Sequence, residues 1–174
     1  MRSIEEILDF VNDKHKGQVD KAGKPYIFHL KEVAMNVPAY CPNGTYIGLL
    51  HDILEDTDTT PQELLDFGID PEIVETVIIL TRKDNESYMD YIKRVAENSL
   101  ARNVKMSDLK HNMQIDRIPN PTENDYKRLK KYKKAYKYLL EYDRTIDRYN
   151  KIGIWLISII SFKIKVIVIW IRIL

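Results

Sequence analysis

Apolar residues recur along this chain at spacings of three and four, the period of an amphipathic helix, and nowhere alternate with period two over a useful length. Ile4, Ile7, Leu8 and Val11 form the first stripe, and Ser3 followed by Glu6 predicts a capping box at its start. Gly17 and Gly23 bracket a polar loop, after which Pro25 opens a second helix with Leu30, Val33, Ala34 and Val37 on its inner side. Beyond Cys41-Pro42-Asn43-Gly44, a third helix carries Ile47, Leu50 and Leu54 and ends in the acidic turn Glu55-Asp56-Thr57-Asp58. Thr60-Pro61-Gln62-Glu63 and Asp70-Pro71-Glu72 are two more helix starts, each a capping side chain followed by Pro at the first helical position. The second leads into Ile73, Val74, Val77, Ile78 and Leu80. Further amphipathic stretches cover about 87–97, 99–113 and 122–148, and no internal repeat is visible. The pattern predicts an all-α body of roughly eight helices.

Composition adds boundaries to this picture. With 174 residues, 44% hydrophobic and 30% charged, the chain has the size and make-up of one globular domain. A formal net charge of +1 lacks the basic excess of a nucleic-acid binder. The single cysteine, Cys41, excludes an internal disulfide and suits a reducing compartment. The opening Met1-Arg2-Ser3-Ile4-Glu5-Glu6 is too acidic and too patterned for a signal peptide, so a cytoplasmic location is expected. The run Lys127-Arg128-Leu129-Lys130-Lys131-Tyr132-Lys133-Lys134 reads as a solvated helix face, with Leu129, Tyr132, Tyr136, Leu139 and Leu140 turned inward.

A boundary is expected at 148/149, because from Ile152 the composition turns to Ile, Val, Leu, Phe and Trp. On insertion scales each of the ten isoleucines in 152–174 gains roughly 0.6 kcal/mol, while central Lys163 and Lys165 cost roughly 3 each, so the two sums nearly cancel. A marginal membrane anchor, an interfacial helix, an aggregation-prone strand and a frameshift product all remain open for this tail.

Candidate chemistry centres on His51-Asp52, two adjacent polar residues flanked by Leu49, Leu50, Ile53 and Leu54. Burying them is costly unless something satisfies them, and a metal ion would, although such a pair can also be a helix cap or a surface pair. Glu55 lies four residues after His51 and Asp56 four after Asp52, so each pair shares a helix face. His29 stands early in the second helix, and Asp108 lies in an amphipathic stretch with Asn112 one turn on. Two imidazoles and two carboxylates make a mixed nitrogen and oxygen set suited to manganese, iron or zinc. Lys21, Lys24, Arg82, Lys83 and Lys105 lie near these motifs and are candidates to meet phosphates, while His15 and His111 read as packing or structural residues.

Four segments then occur in order: His15-Lys16-Gly17-Gln18, Gly23-Lys24-Pro25-Tyr26-Ile27-Phe28-His29, Leu50-His51-Asp52-Ile53-Leu54-Glu55-Asp56-Thr57, and Val104-Lys105-Met106-Ser107-Asp108-Leu109-Lys110-His111-Asn112-Met113. Over about residues 4–142 the chain resembles the hydrolase domain of RelA/SpoT enzymes and their small stand-alone relatives of the metazoan SpoT homologue type. The resemblance implies an all-helical HD domain that holds Mn2+ or another divalent transition metal and hydrolyses the nucleotide (p)ppGpp. In this reading the 3′-pyrophosphate leaves by attack of metal-bound water, as in the stringent response. It also implies His29, His51, Asp52 and Asp108 as metal ligands, Glu55 and Asp56 as the acids that manage the water, and Asn112 and Lys21 as nucleotide contacts. Where the long enzymes carry a basic residue two after the Gly-Gln pair, this chain has Asp20, with Lys21 beside it. That departure favours the alternative of another nucleotide substrate, a nucleoside monophosphate or NADPH; a non-catalytic nucleotide-binding module and membrane contact through the tail are separate alternatives.

Overall fold

The computed structural model describes residues 2–173; the side chains of residues 150 and 153–173 are outside the described set. In chain order the elements are α1 (Ile4–Lys14), α2 (Ile27–Asn36), α3 (Gly44–Leu50), α4 (Ile53–Asp56), α5 (Pro61–Phe67), α6 (Pro71–Leu80), α7 (Tyr88–Glu97), α8 (Ser99–Asn112), a 3-10 turn (Ile115–Arg117) and α9 (Glu123–Ile173). Among the described residues there is no strand, only an isolated bridge between Val19 and Pro25. The all-α expectation therefore holds.

The local start signals act as their chemistry requires. Ser3 Oγ accepts the Glu6 N–H at 3.2 Å, and Glu6 Oε2 accepts the Ser3 N–H at 2.8 Å. Thr60 and Asp70 cap α5 and α6 ahead of Pro61 and Pro71. Two expectations shift. Helix α2 begins at Ile27 rather than Pro25. The helix expected to run through His51-Asp52 breaks there into α3 and α4. The break has a local cause: His51 Nδ1 donates to the Gly48 carbonyl at 2.8 Å, occupying the acceptor that the Asp52 N–H would use in a continuous helix.

The chain divides into two compact units, Met1–Leu139 and Leu140–Leu174. In the first, α8 packs against α2, α3, α6 and α7, and α2 lies tightly on α3. Gly48 of α3 allows that approach, since a Cβ there would meet the Ala34 main chain. Ser107 Oγ donates to the Val33 carbonyl at 2.9 Å and fastens α8 to α2. Leu30, Val33, Ile47, Leu50, Ile53, Val104 and Leu109 form the core beneath the site. Burying each large aliphatic side chain contributes about 1.5–3 kcal/mol before chain entropy is subtracted. On α9, Ala135 and Leu139 are fully buried, while Leu129, Tyr132, Tyr136 and Leu140 are half-buried. Lys130, Lys133 and Lys134 are exposed, as a solvated face requires.

Among the described residues no helix is long and apolar enough to cross a membrane. The alternatives for the tail rest on 153–174, which lie outside the residues whose side chains are described.

Candidate metal centre and active site

Histidines and carboxylates drawn from α2, the α3–α4 break and α8 converge on one point. His51 Nε2 lies 2.9 Å from Asp52 Oδ2 and 3.8 Å from Asp108 Oδ1. His29 Nε2 lies 3.3 Å from Asp52 Oδ2 and 3.4 Å from Asp108 Oδ1. One ligand atom from each of His29, His51 and Asp108 falls within 4.8 Å of the others, and all three residues are buried. His29 enters from the first turn of α2, whose inner face is anchored by Leu30, Val33 and Ala34. The α3–α4 break turns His51 and Asp52 toward it, and Asp108 comes from the buried face of α8.

The surroundings orient these atoms. Because His51 Nδ1 donates to the Gly48 carbonyl, the ring presents Nε2 to the centre, and this buried atom has no hydrogen-bond partner. His29 Nδ1 lies 2.6 Å from His111 Nδ1. Burial, then His29 and Arg117, push His111 down to about 4, so His111 is neutral and accepts while His29 donates. His29 Nε2 is thereby left pointing inward as well. Asp108 is held by Lys105 Nζ at 2.7 Å on Oδ2 and by the Asn112 amide at 2.5 Å on Oδ1. Burial alone would raise Asp108, but Lys105, His29 and His51 together outweigh it and hold the carboxyl well below the usual range. Two imidazole lone pairs facing two carboxylates demand positive charge. A proton on His51 can answer that demand: against burial, Asp52 and Asp108 raise His51 to about 10, and a cation bound there would take the place of that proton. The donor set and the orphaned His51 Nε2 fit a divalent cation.

At the edge of this cluster stand the two acids. Tyr26 Oη donates to Asp52 Oδ2 at 2.6 Å and reaches Asp56 Oδ2 at 2.9 Å. Burial and the neighbouring Asp52 charge raise the Asp56 carboxyl. Glu55 Oε2 accepts the Arg82 N–H at 3.2 Å.

Above the centre opens a cavity of about 610 Å³ that also holds His29, Asp52, Glu55, Asp56 and Asp108 on its walls. Six cationic side chains line it: Lys21, Arg82, Lys105, Arg117, Arg128 and Lys131. Asn112 lines it too, whereas Lys24 and Lys83 do not. Sequence reasoning missed Arg117, Arg128 and Lys131. Lys131 is exposed, as a solvated face requires, and at the same time lies over the Tyr88 ring, 4.4 Å from its centroid, at the cavity wall. The aromatic residues interleaved with that basic run were the available signal. Asp20 does not face the cavity as a bare charge. It accepts the N–H groups of Ala22 and Lys24 at 2.8 and 2.9 Å and pairs with Arg117 at 2.8 Å.

No family model matches the sequence. A solved structure of a metazoan orthologue of SpoT that hydrolyzes ppGpp and plays a role in starvation responses superposes with a TM-score of 0.65 at 22% identity. It matches 80% of this chain and 87% of that one. The chain has the HD-domain fold. Among curated proteins, this HD domain is 31% identical over 164 residues to guanosine-3′,5′-bis(diphosphate) 3′-pyrophosphohydrolase of Aquifex aeolicus. That match covers 89% of this chain and 22% of the relative. The enzyme of the same name from Spiroplasma citri is 30% identical over 125 residues, 65% of this chain and 17% of the relative. A GTP pyrophosphokinase of Myxococcus xanthus is 33% identical over 114 residues, 57% of this chain and 15% of the relative. The HD domain thus spans about a fifth of the length of the curated relatives it matches.

Proposed function

We propose that this protein is a metal-dependent phosphohydrolase that removes pyrophosphate from the 3′ position of guanosine-3′,5′-bis(diphosphate), with Mn2+ as its metal. The observation that carries the reading is the buried His51 Nε2, aimed with His29 Nε2 at two carboxylates on the floor of a cation-lined cavity. His29, His51, Asp52 and Asp108 hold the metal. When bound, the metal supplies Lewis acidity toward a phosphoryl oxygen and toward water. Asp56, whose carboxyl burial and Asp52 make more basic, takes a proton from the attacking water. Glu55, fixed by the Arg82 main chain, positions that water from the other side. Lys21 and Asn112 contact the nucleotide, and the remaining cavity cations offset the charge of its phosphates. The similarity to enzymes named for this reaction supports the choice of substrate. The unpaired Cys41 suits a cytoplasmic location.

Asp20, which stands where the long enzymes carry a basic residue, is committed to Arg117, and this favours testing a second nucleotide class. Purified protein with Mn2+ is expected to release pyrophosphate from ppGpp. Asp52→Ala is expected to reduce the rate by on the order of 10³, since a lost metal centre removes several kcal/mol of transition-state stabilisation. Equal turnover by both proteins rejects the site. Activity on a nucleoside monophosphate or NADPH but not on ppGpp keeps the site and rejects the substrate. Metal and nucleotide binding without product makes the protein a binding module.

A further inference from the structure

The connection between α1 and α2 is tied to itself and to the α3–α4 break in a way the proposed reaction has not used. Tyr26 N–H donates to the Gln18 carbonyl at 3.1 Å, and Asp20 N–H to the Lys24 carbonyl at 2.8 Å, closing the loop. From this closed loop two side chains reach the same acid. Gln18 Nε2 donates to the main-chain carbonyl of Asp56 at 2.7 Å, and the Tyr26 hydroxyl meets the Asp56 carboxylate. Gln18 is itself held by His15, whose Nδ1 lies 2.8 Å from Gln18 Oε1. His15 also stacks on the Tyr26 ring, at 5.0 Å between centroids and 22° between planes.

We infer that Tyr26 is a positioning residue that yokes the metal-facing carboxylate of Asp52 to the carboxylate of Asp56, with Gln18 and His15 bracing it from behind. The inference rests on the metal site and reaction proposed above. A phenol has one hydrogen to donate, and both carboxylate oxygens lie within 2.9 Å of its oxygen. The two negative groups are therefore drawn to a shared donor instead of separating. The oxygen of Asp52 involved, Oδ2, is the one turned toward His29 and His51, so the hydroxyl is an outer partner of a metal-facing atom. Such partners set ligand orientation. Without the hydroxyl, Asp56 keeps its main-chain anchor to Gln18 but loses the contact that aims its carboxylate, and it turns toward solvent.

Tyr26→Phe removes one oxygen and leaves the ring in its stack with His15. It is compared, in the full chain, with Asp56→Asn and the double variant, folding being followed by circular dichroism. Two readouts are taken. In calorimetric titration with Mn2+ and no nucleotide, Tyr26→Phe is expected to weaken binding about 10-fold, the lower end for loss of an outer-shell partner. At saturating Mn2+ with ppGpp, kcat is expected to fall about 10–100-fold with KM held within about 2-fold, the signature of a lost positioning contact. Adding Tyr26→Phe to Asp56→Asn is expected to change kcat by less than about 3-fold, because both substitutions cut one connection. Unchanged Mn2+ affinity in Tyr26→Phe overturns the link to Asp52. A double variant slower by the full product of the single effects overturns the link to Asp56. If the wild-type chain binds Mn2+ yet leaves ppGpp intact, the substrate proposal falls, and the Mn2+ titration alone decides the role of Tyr26.

Discussion

Asp108→Ala is expected to abolish pyrophosphate release and to destabilise the fold by about 3–5 kcal/mol even with chelator present. The two effects arise from opposite sides of one carboxylate. Oδ1 faces His29 Nε2 and His51 Nε2, so its removal takes away one of the four groups proposed to hold the metal. Oδ2 is the counter-ion of Lys105 at 2.7 Å, and the Lys105 side chain is only 14% exposed. An ammonium stranded at such depth is costly, because its hydration was given up on folding in exchange for that partner. The Asn112 amide loses its acceptor at the same time. Asp108→Asn separates the effects: it keeps the shape and an acceptor for Lys105 but removes the charge facing the histidines. It is expected to be as inactive as the alanine variant while losing far less stability. Urea unfolding with and without EDTA, alongside a pyrophosphate assay, measures both quantities. Unchanged stability of Asp108→Ala in EDTA would remove Lys105 from the account, and turnover near the wild-type rate would remove Asp108 from the site.

Gly48→Ala is the second large effect, about 3 kcal/mol of destabilisation, although alanine is the better helix former by about 1 kcal/mol. A Cβ at position 48 would lie 2.6 Å from Ala34 Cα, 3.0 Å from Ala34 N and 3.1 Å from Ala34 Cβ. Two of these atoms are main chain of α2, which cannot rotate aside, so α2 and α3 must part. His29 sits on α2 and His51 just past α3, and the Gly48 carbonyl is the group that fixes the His51 ring. The expected result is a thermal midpoint lower by about 10 °C, together with weaker Mn2+ binding in the protein that remains folded. Ala34→Gly in the same chain is expected not to rescue it, because it removes only the Cβ of the three atoms encountered. Full rescue would show that the clash is confined to side chains.

The residues that start helices were legible because caps act within three or four positions. Ser3 with Glu6, Thr60 before Pro61 and Asp70 before Pro71 each satisfy main-chain donors that lie next to them in sequence. The inner stripe of α2 was equally legible, since Leu30, Val33 and Ala34 recur at the helical period and are buried. The break at His51-Asp52 was not. Local propensity favours a continuous helix there, and a side-chain hydrogen bond to Gly48 outcompetes it. Tyr26 lies within one of the motif segments, yet nothing local shows that its hydroxyl would meet acids 26 and 30 residues away. Asp20 read as a lost recognition charge until Arg117, 97 residues later, was found against it. Lys131 is a solvated lysine as its spacing predicts, but nothing in that spacing shows that it also lies over Tyr88 at the cavity wall.

The sequence by itself determined the helical class, most helix starts, and a short set of polar residues too expensive to bury without a partner. These follow from period, capping and desolvation, which act within a few residues. Only the tertiary structure decided that His29, His51, Asp52 and Asp108 face one centre, that Tyr26 joins two acids, and which cations turn into the cavity. Those outcomes depend on how α2, α3 and α8 pack, through contacts such as Gly48 on Ala34, and no spacing along the chain encodes the distance between side chains on different helices.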